Sequence, residues 1–157
     1  MATLVMVPFA AMGGNGLGQT VFNSALIFLT AVLFYRLFAG IPTLRPLRLV
    51  APVLYVLGTS TFHSARVGSV WLLMHSEGNF FFVGALIFAA LRKQFVLAGI
   101  CFMIASQIRY SILFAAPAFA LLAWFESQNQ RETLHNLVRF ALGCLPPGLL
   151  ILGYNTA

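Results

Sequence analysis

The chain has 157 residues, of which 61% are hydrophobic and 8% charged, with a mean hydropathy of +0.93. Soluble domains are about 45–50% apolar and about 25% charged, so this composition leaves too little polar surface for a water-soluble domain and points to lipid as the main solvent. The net charge of +6 does not indicate nucleic acid, because the nine Lys and Arg residues are spread between apolar runs, with only Arg92 and Lys93 adjacent, and are not gathered in a basic patch on a solvated face.

Residues 1–12 are apolar but lack the basic start of a signal peptide. They are also fewer than the roughly 20 residues that a span requires. They are expected to form a short interfacial helix, broken at Pro8 and ended by Gly13-Gly14-Asn15-Gly16. The turn cluster Asn15-Gly16-Leu17-Gly18 matches no phosphate-loop pattern. A first span over 19–39 is broken by Gly40-Ile41-Pro42-Thr43, and a loop with Arg45 and Arg48 follows. The second run, 47–62, is entered through Pro46 and Pro52. Residues 63–69 are polar enough to leave the membrane, 70–74 form an interfacial patch with Trp71 at head-group depth, and His75, Ser76 and Glu77 close that loop.

The third run, 79–91, leads into Arg92-Lys93, and the fourth, 94–108, into the reversal Arg109-Tyr110-Ser111. The fifth, 112–125, carries a kink at Pro117. A polar stretch over 126–136 is the one sizeable soluble segment, and the last run, 137–153, holds the breaker Pro146-Pro147-Gly148. The expected fold is all-α: a polytopic transmembrane helix bundle of about six spans plus the N-terminal interfacial helix, forming a single transmembrane domain over 1–157.

Six spans alternate sides, so their connections can be scored for charge. One side holds Arg36, Arg45, Arg48, Arg92, Lys93, Arg131 and Arg139; the other holds only Arg66 and Arg109. Cytoplasmic loops carry the excess of Lys and Arg, so the richer side is the cytoplasmic one.

The residues that break this trend are the candidates for chemistry. Arg66 and Arg109 share the non-cytoplasmic side with His63, His75 and Glu77, and Glu77 is the one acid outside the polar 126–136 stretch. Ionisable groups near bilayer depth are costly and usually pair or line a watery cavity. A guanidinium suits bidentate contact with phosphate, although an Arg at a helix end commonly snorkels to lipid phosphate with no further task. Glu77 can equally pair with Arg66 or Arg109, or face water. Glu126 and Glu132 lie near Arg131 and read as a solvated face. The histidines show no metal-ligand spacing, and Cys101 and Cys144 sit inside apolar runs as small packing residues, so no metal site is expected. Between Ser60 and Glu77 the residue types of a Ser/His/Glu site occur, without a recognisable spacing.

The order of several short motifs carries a resemblance. Leu57-Gly58-Thr59-Ser60 is followed by Gly68-Ser69-Val70-Trp71 and His75, then by Leu97-Ala98-Gly99 and Ile104-Ala105-Ser106-Gln107-Ile108-Arg109. Arg139-Phe140-Ala141-Leu142-Gly143 and Gly153-Tyr154-Asn155 come near the end. Together, over about 7–155, they resemble bacterial polytopic proteins of the GT-C glycosyltransferase superfamily, akin to the protein O-mannosyltransferases and lipid-A aminoarabinose transferases. The resemblance implies a polyprenyl-phosphate-linked sugar donor used on the outer face of the bacterial inner membrane. It also implies a catalytic acid in the first non-cytoplasmic loop, often with a divalent metal nearby. By it, Arg109 falls where a basic residue contacts the donor phosphate, with Arg66, His75 and Glu77 in the loop lining the site. The pattern starts at the family's second membrane segment, so the first span, its acidic loop and the C-terminal part are expected to be missing, and the catalytic residue is unassigned. The alternative is a non-enzymatic polytopic membrane protein, such as a transporter subunit or structural partner; the lack of an internal repeat counts against a transporter.

The charge partition generates a direct expectation. In a cysteine-accessibility experiment on intact cells, a cysteine placed at residue 109 is labelled from outside and one placed at residue 92 or 93 is not. Labelling of both from the same side would overturn the partition.

Overall fold

The computed structural model describes residues 16–57 and 70–156. Among them are six α-helices, two 3-10 helices and no strand. The helices are α1 (Gly16–Gly40), α2 (Val50–Leu57), α3 (Val70–Ala90), α4 (Phe95–Ile108), α5 (Ala116–Glu126) and α6 (Gln130–Thr156), with 3-10 segments at Pro42–Leu47 and Tyr110–Ala115. The expected N-terminal interfacial helix lies outside the described residues. The chain divides into two compact units, Met1–Phe80 and Phe81–Ala157.

In the first unit, the window Thr20–Gly40 of α1 is long and apolar enough to cross a membrane, with 21 residues of mean hydropathy 1.8. A core helix of a soluble protein would be mostly buried; here 28% of the window is. The buried residues Asn23, Leu26, Ile27, Thr30 and Leu37 recur at helical spacing and form one stripe. Two of those five are polar, whereas Val21 and Phe28 on the outside are 61% and 67% exposed. A helix surrounded by water has the opposite arrangement. Thr30 satisfies its hydroxyl within the helix, donating to the Leu26 carbonyl at 2.7 Å. α1 packs against the first 3-10 segment and α2, where the rings of Phe34 and Tyr55 lie 5.0 Å apart.

The Pro-rich stretch after Gly40 folds as expected from proline's fixed φ and missing N–H. Pro42 opens the 3-10 turn and Pro52 falls in the first turn of α2, where no intrahelical donor is needed. α2 is described as far as Leu57, and the last residues of the run expected over 47–62 lie outside the described ones.

Two expected loops are helix instead. His75, Ser76 and Glu77 do not close a loop; they lie inside the 21-residue α3, which joins the expected interfacial patch to the third run. Their polarity does not interrupt the backbone ladder, since helix propensity differs by only about 0.7 kcal/mol among ordinary residues. Likewise the polar stretch after Glu126 becomes the first turns of α6. Asn129 Oδ1 accepts the backbone N–H of Glu132 at 2.9 Å, and Glu132 Oε2 accepts that of Gln128 at 2.8 Å. This reciprocal cap satisfies donors that the helix start leaves open. The expected breaker at Pro146-Pro147 does not end α6, which runs on to Thr156. Pro117, by contrast, marks a true change of structure, from the 3-10 segment to the first turn of α5.

The second unit is built on aromatic rings set between small residues. Ala85, Ala89, Phe95, Ala98, Phe102, Phe119 and Ala123 form its buried core. Phe119 lies 5.0 Å from both Phe102 and Phe140, edge-on to the first and stacked on the second. Alanines leave room for these rings, and such pairs contribute about 0.5–1.5 kcal/mol beyond their area.

α4 and α6 share the most extensive interface of this unit, and they meet backbone to backbone. A Cβ on Gly99 would lie 2.1 Å from the Phe140 carbonyl oxygen, and one on Gly143 the same distance from that of Val96. The Cys144 thiol donates to the Gly99 carbonyl at 3.4 Å. Small residues at a crossing let two helix backbones approach this closely. Gly99→Ala therefore lowers stability by roughly 1–3 kcal/mol, whereas Gly84→Ala, with open space around its Cβ, leaves the unfolding midpoint unchanged or higher. Circular dichroism unfolding of both variants in detergent checks this, and equal midpoints would rule out the close crossing.

Candidate functional site

Arg109 is the residue at which α4 stops. Its backbone turns extended, with φ −140° and ψ 103°, and there the chain passes into the second 3-10 segment. Its N–H still donates to the Ala105 carbonyl at 2.9 Å, and its own carbonyl accepts the N–H of Ile112 at 2.9 Å. The break is thus closed on both sides by backbone bonds, and the side chain is half-buried. Nearby in sequence, Tyr110 and Ser111 are exposed, and the Ser106 hydroxyl is buried with no hydrogen-bond partner among the described residues.

The opposite end of α4 is basic as well. Lys93 adopts a left-handed backbone, φ 52°, in the turn that joins α3 to α4, and its ammonium lies 3.0 Å from the Glu126 carboxylate. With the Lys side chain 64% exposed, this pair contributes at most about 1 kcal/mol. Its value is geometric. It ties the turn before α4 to the end of α5, so the chain leaves along α4 and returns along the 3-10 segment and α5. The 14 residues of α4 span about 21 Å at 1.5 Å per residue. Arg92 and Lys93 therefore stand at one end of this hairpin and Arg109 at the other. Glu126, expected on a solvated face near Arg131, pairs with the largely exposed Lys93.

The other expected site residues lie elsewhere. His75 and Glu77 belong to the first unit and Arg109 to the second, while Arg66 and His63 fall outside the described residues. His75 and Glu77 are two residues apart on α3, and helix positions so spaced do not face one another. His75 is half-buried, whereas Glu77 is only 6% exposed and its Oε1 has no hydrogen-bond partner among the described residues.

The first unit also holds polar groups that sequence reasoning passed over. The Tyr55 hydroxyl on α2 is flanked by Thr30 from α1 and Asn79 from α3, and Asn23 and Ser76 are buried. The seven-residue spacing of Asn23 and Thr30 in an otherwise apolar run was the signal available: it places both on one face of α1. Among the described residues no three His, Cys, Asp or Glu side chains are grouped to hold a metal ion. No family model, curated protein or solved structure matches the chain.

Glu77 gives this site a stability test. A buried, unsatisfied polar atom costs about 1–3 kcal/mol, so Glu77→Leu is expected to raise the thermal unfolding midpoint in detergent. A clear fall would show that the carboxylate is engaged in the native chain.

Proposed function

We propose that this chain is a polytopic membrane protein whose six helical segments cross the bilayer with the Arg- and Lys-rich connections in the cytoplasm. We further propose that it serves sugar transfer from a polyprenyl-phosphate-linked donor at the non-cytoplasmic face. The membrane placement is supported by the apolar exterior, on which Phe114 is 88% exposed, and by the polar residues turned inward on α1. The 21 Å length of α4 is short for a hydrocarbon core of about 30 Å, and arginine and lysine at its two ends can reach the interfaces by snorkelling.

The observation that carries the transferase reading is the position of Arg109. It stands at the broken end of α4, away from the other basic residues of its hairpin, where a phosphate approaching from that side meets a half-buried guanidinium. In such a transfer an acceptor hydroxyl or amine attacks the anomeric carbon, the bond from that carbon to the phosphate oxygen breaks, and polyprenyl phosphate leaves. A guanidinium held against the phosphate stabilises the charge that develops on it. The base that takes the acceptor's proton is not assigned, and Glu77, inside α3, is given no such role.

A second reading is a non-enzymatic polytopic protein such as a transporter subunit. The buried Asn23, Thr30 and Glu77 favour it, since polar groups inside membrane helices often mark a pathway. A photoreactive polyprenyl phosphate separates the two. The transferase reading expects labelling of the chain that falls at least about tenfold in Arg109→Ala and is partly restored in Arg109→Lys. Labelling unchanged in Arg109→Ala removes Arg109 from the donor site and leaves the second reading.

A further inference from the structure

We propose that the first 3-10 segment carries a binding site for the phosphate of an anionic lipid headgroup, held between Arg45 and Arg48. The two arginines line a surface groove with Pro42, Pro46 and Leu49. The Arg48 N–H donates to the Arg45 carbonyl at 3.3 Å, which places the residues one 3-10 turn apart. In that geometry positions i and i+3 eclipse, so both side chains leave the backbone on the same side. Pro42 and Pro46 fix φ at two positions of the turn and keep it stiff. Arg45 is exposed, Arg48 half-buried, and neither has a carboxylate partner among the described residues.

Two guanidiniums on one side of a rigid turn offer paired donors to one phosphate. The residues just C-terminal to them select a lipid over a free ion. Leu49, Val50, Val53, Leu54 and Leu57 are all exposed, and the last four recur at i, i+3, i+4 and i+7, forming an apolar stripe that runs away from the arginines along α2. An acyl chain covers such a stripe while its headgroup stays on the guanidiniums; inorganic phosphate covers none of it. The second basic groove differs in kind. Lined by Asn129, Arg131, Glu132, Leu134, His135 and Val138, it sets a carboxylate beside its arginine. The proposal requires the membrane placement of this segment but not sugar transfer, so loss of the Arg109 labelling reading leaves it standing.

The test is native mass spectrometry of the full chain, delipidated in mild detergent and titrated with phosphatidylglycerol or with phosphatidylcholine of the same acyl chains. Phosphatidylglycerol is expected to bind in preference, with affinity falling at least about tenfold in Arg45→Gln/Arg48→Gln and unchanged in Arg131→Gln. Inorganic phosphate at the same concentration is expected not to displace it. Circular dichroism confirms that the double variant is folded. Should it not fold, Arg45→Lys/Arg48→Lys keeps the charge but not the planar fork and is expected to bind more weakly than the unchanged chain. The proposal is overturned by equal binding of the folded double variant, by an equal loss in Arg131→Gln, or by equal affinity for phosphatidylcholine. Displacement by inorganic phosphate would likewise overturn it, showing a free-anion site.

Discussion

In a chain with 8% charged residues and an apolar exterior, the proposed membrane placement requires the backbone N–H and C=O groups at bilayer depth to find their partners close by, because lipid offers none. Only closed hydrogen-bond ladders meet that demand, and among the described residues the ladder is helical throughout. On that placement the constraint bears on the polar residues of α3, which stay in helix, whereas the first turns of α6 are held by the Asn129 and Glu132 cap. It also explains the form of the breaks that do occur. At Arg109 both backbone groups stay bonded across the turn, and at Pro117 a 3-10 segment hands over to the first turn of α5, where a missing N–H is harmless.

Once the ladders are closed, packing decides which helix meets which. In the second unit, the answer is close approach. Gly99 and Gly143 bring the backbones of α4 and α6 into contact, the Cys144 thiol bonds across the seam, and Phe102, Phe119 and Phe140 fill the space beside it. In the first unit, polar atoms are drawn inward, with Thr30, Tyr55 and Asn79 meeting from three helices. Leaving these groups on an apolar exterior without partners would cost more than burying them near one another.

How far the sequence is legible follows the range of each interaction. Among the described residues each apolar run overlaps helical structure, since hydropathy and helix length are summed over neighbouring residues. The placement of Arg92 and Lys93 away from Arg109 is likewise legible, because a helix of known rise lies between them. The constellation of Arg66, His75, Glu77 and Arg109 is less so. It rests on a loop that is helix at His75 and Glu77, and on proximity between residues that local pattern does not bring together. Asn129 and Glu132 have the look of solvated polarity, although their spacing is that of a cap. Asn23 and Thr30 are easily passed over in an apolar run, although theirs is that of a single helix face.

By itself, the sequence determined the helical class, the order of the apolar runs and the ends of the hairpin that carry charge, because composition and rise per residue act along the chain. Only the tertiary structure decided that Gly99 and Gly143 touch, that Cys144 bonds to a carbonyl 45 residues away, and that Glu77 is buried in a helix. Those outcomes depend on which faces meet in space, and a helix face becomes a contact only when its partner has arrived. No local pattern contains that partner.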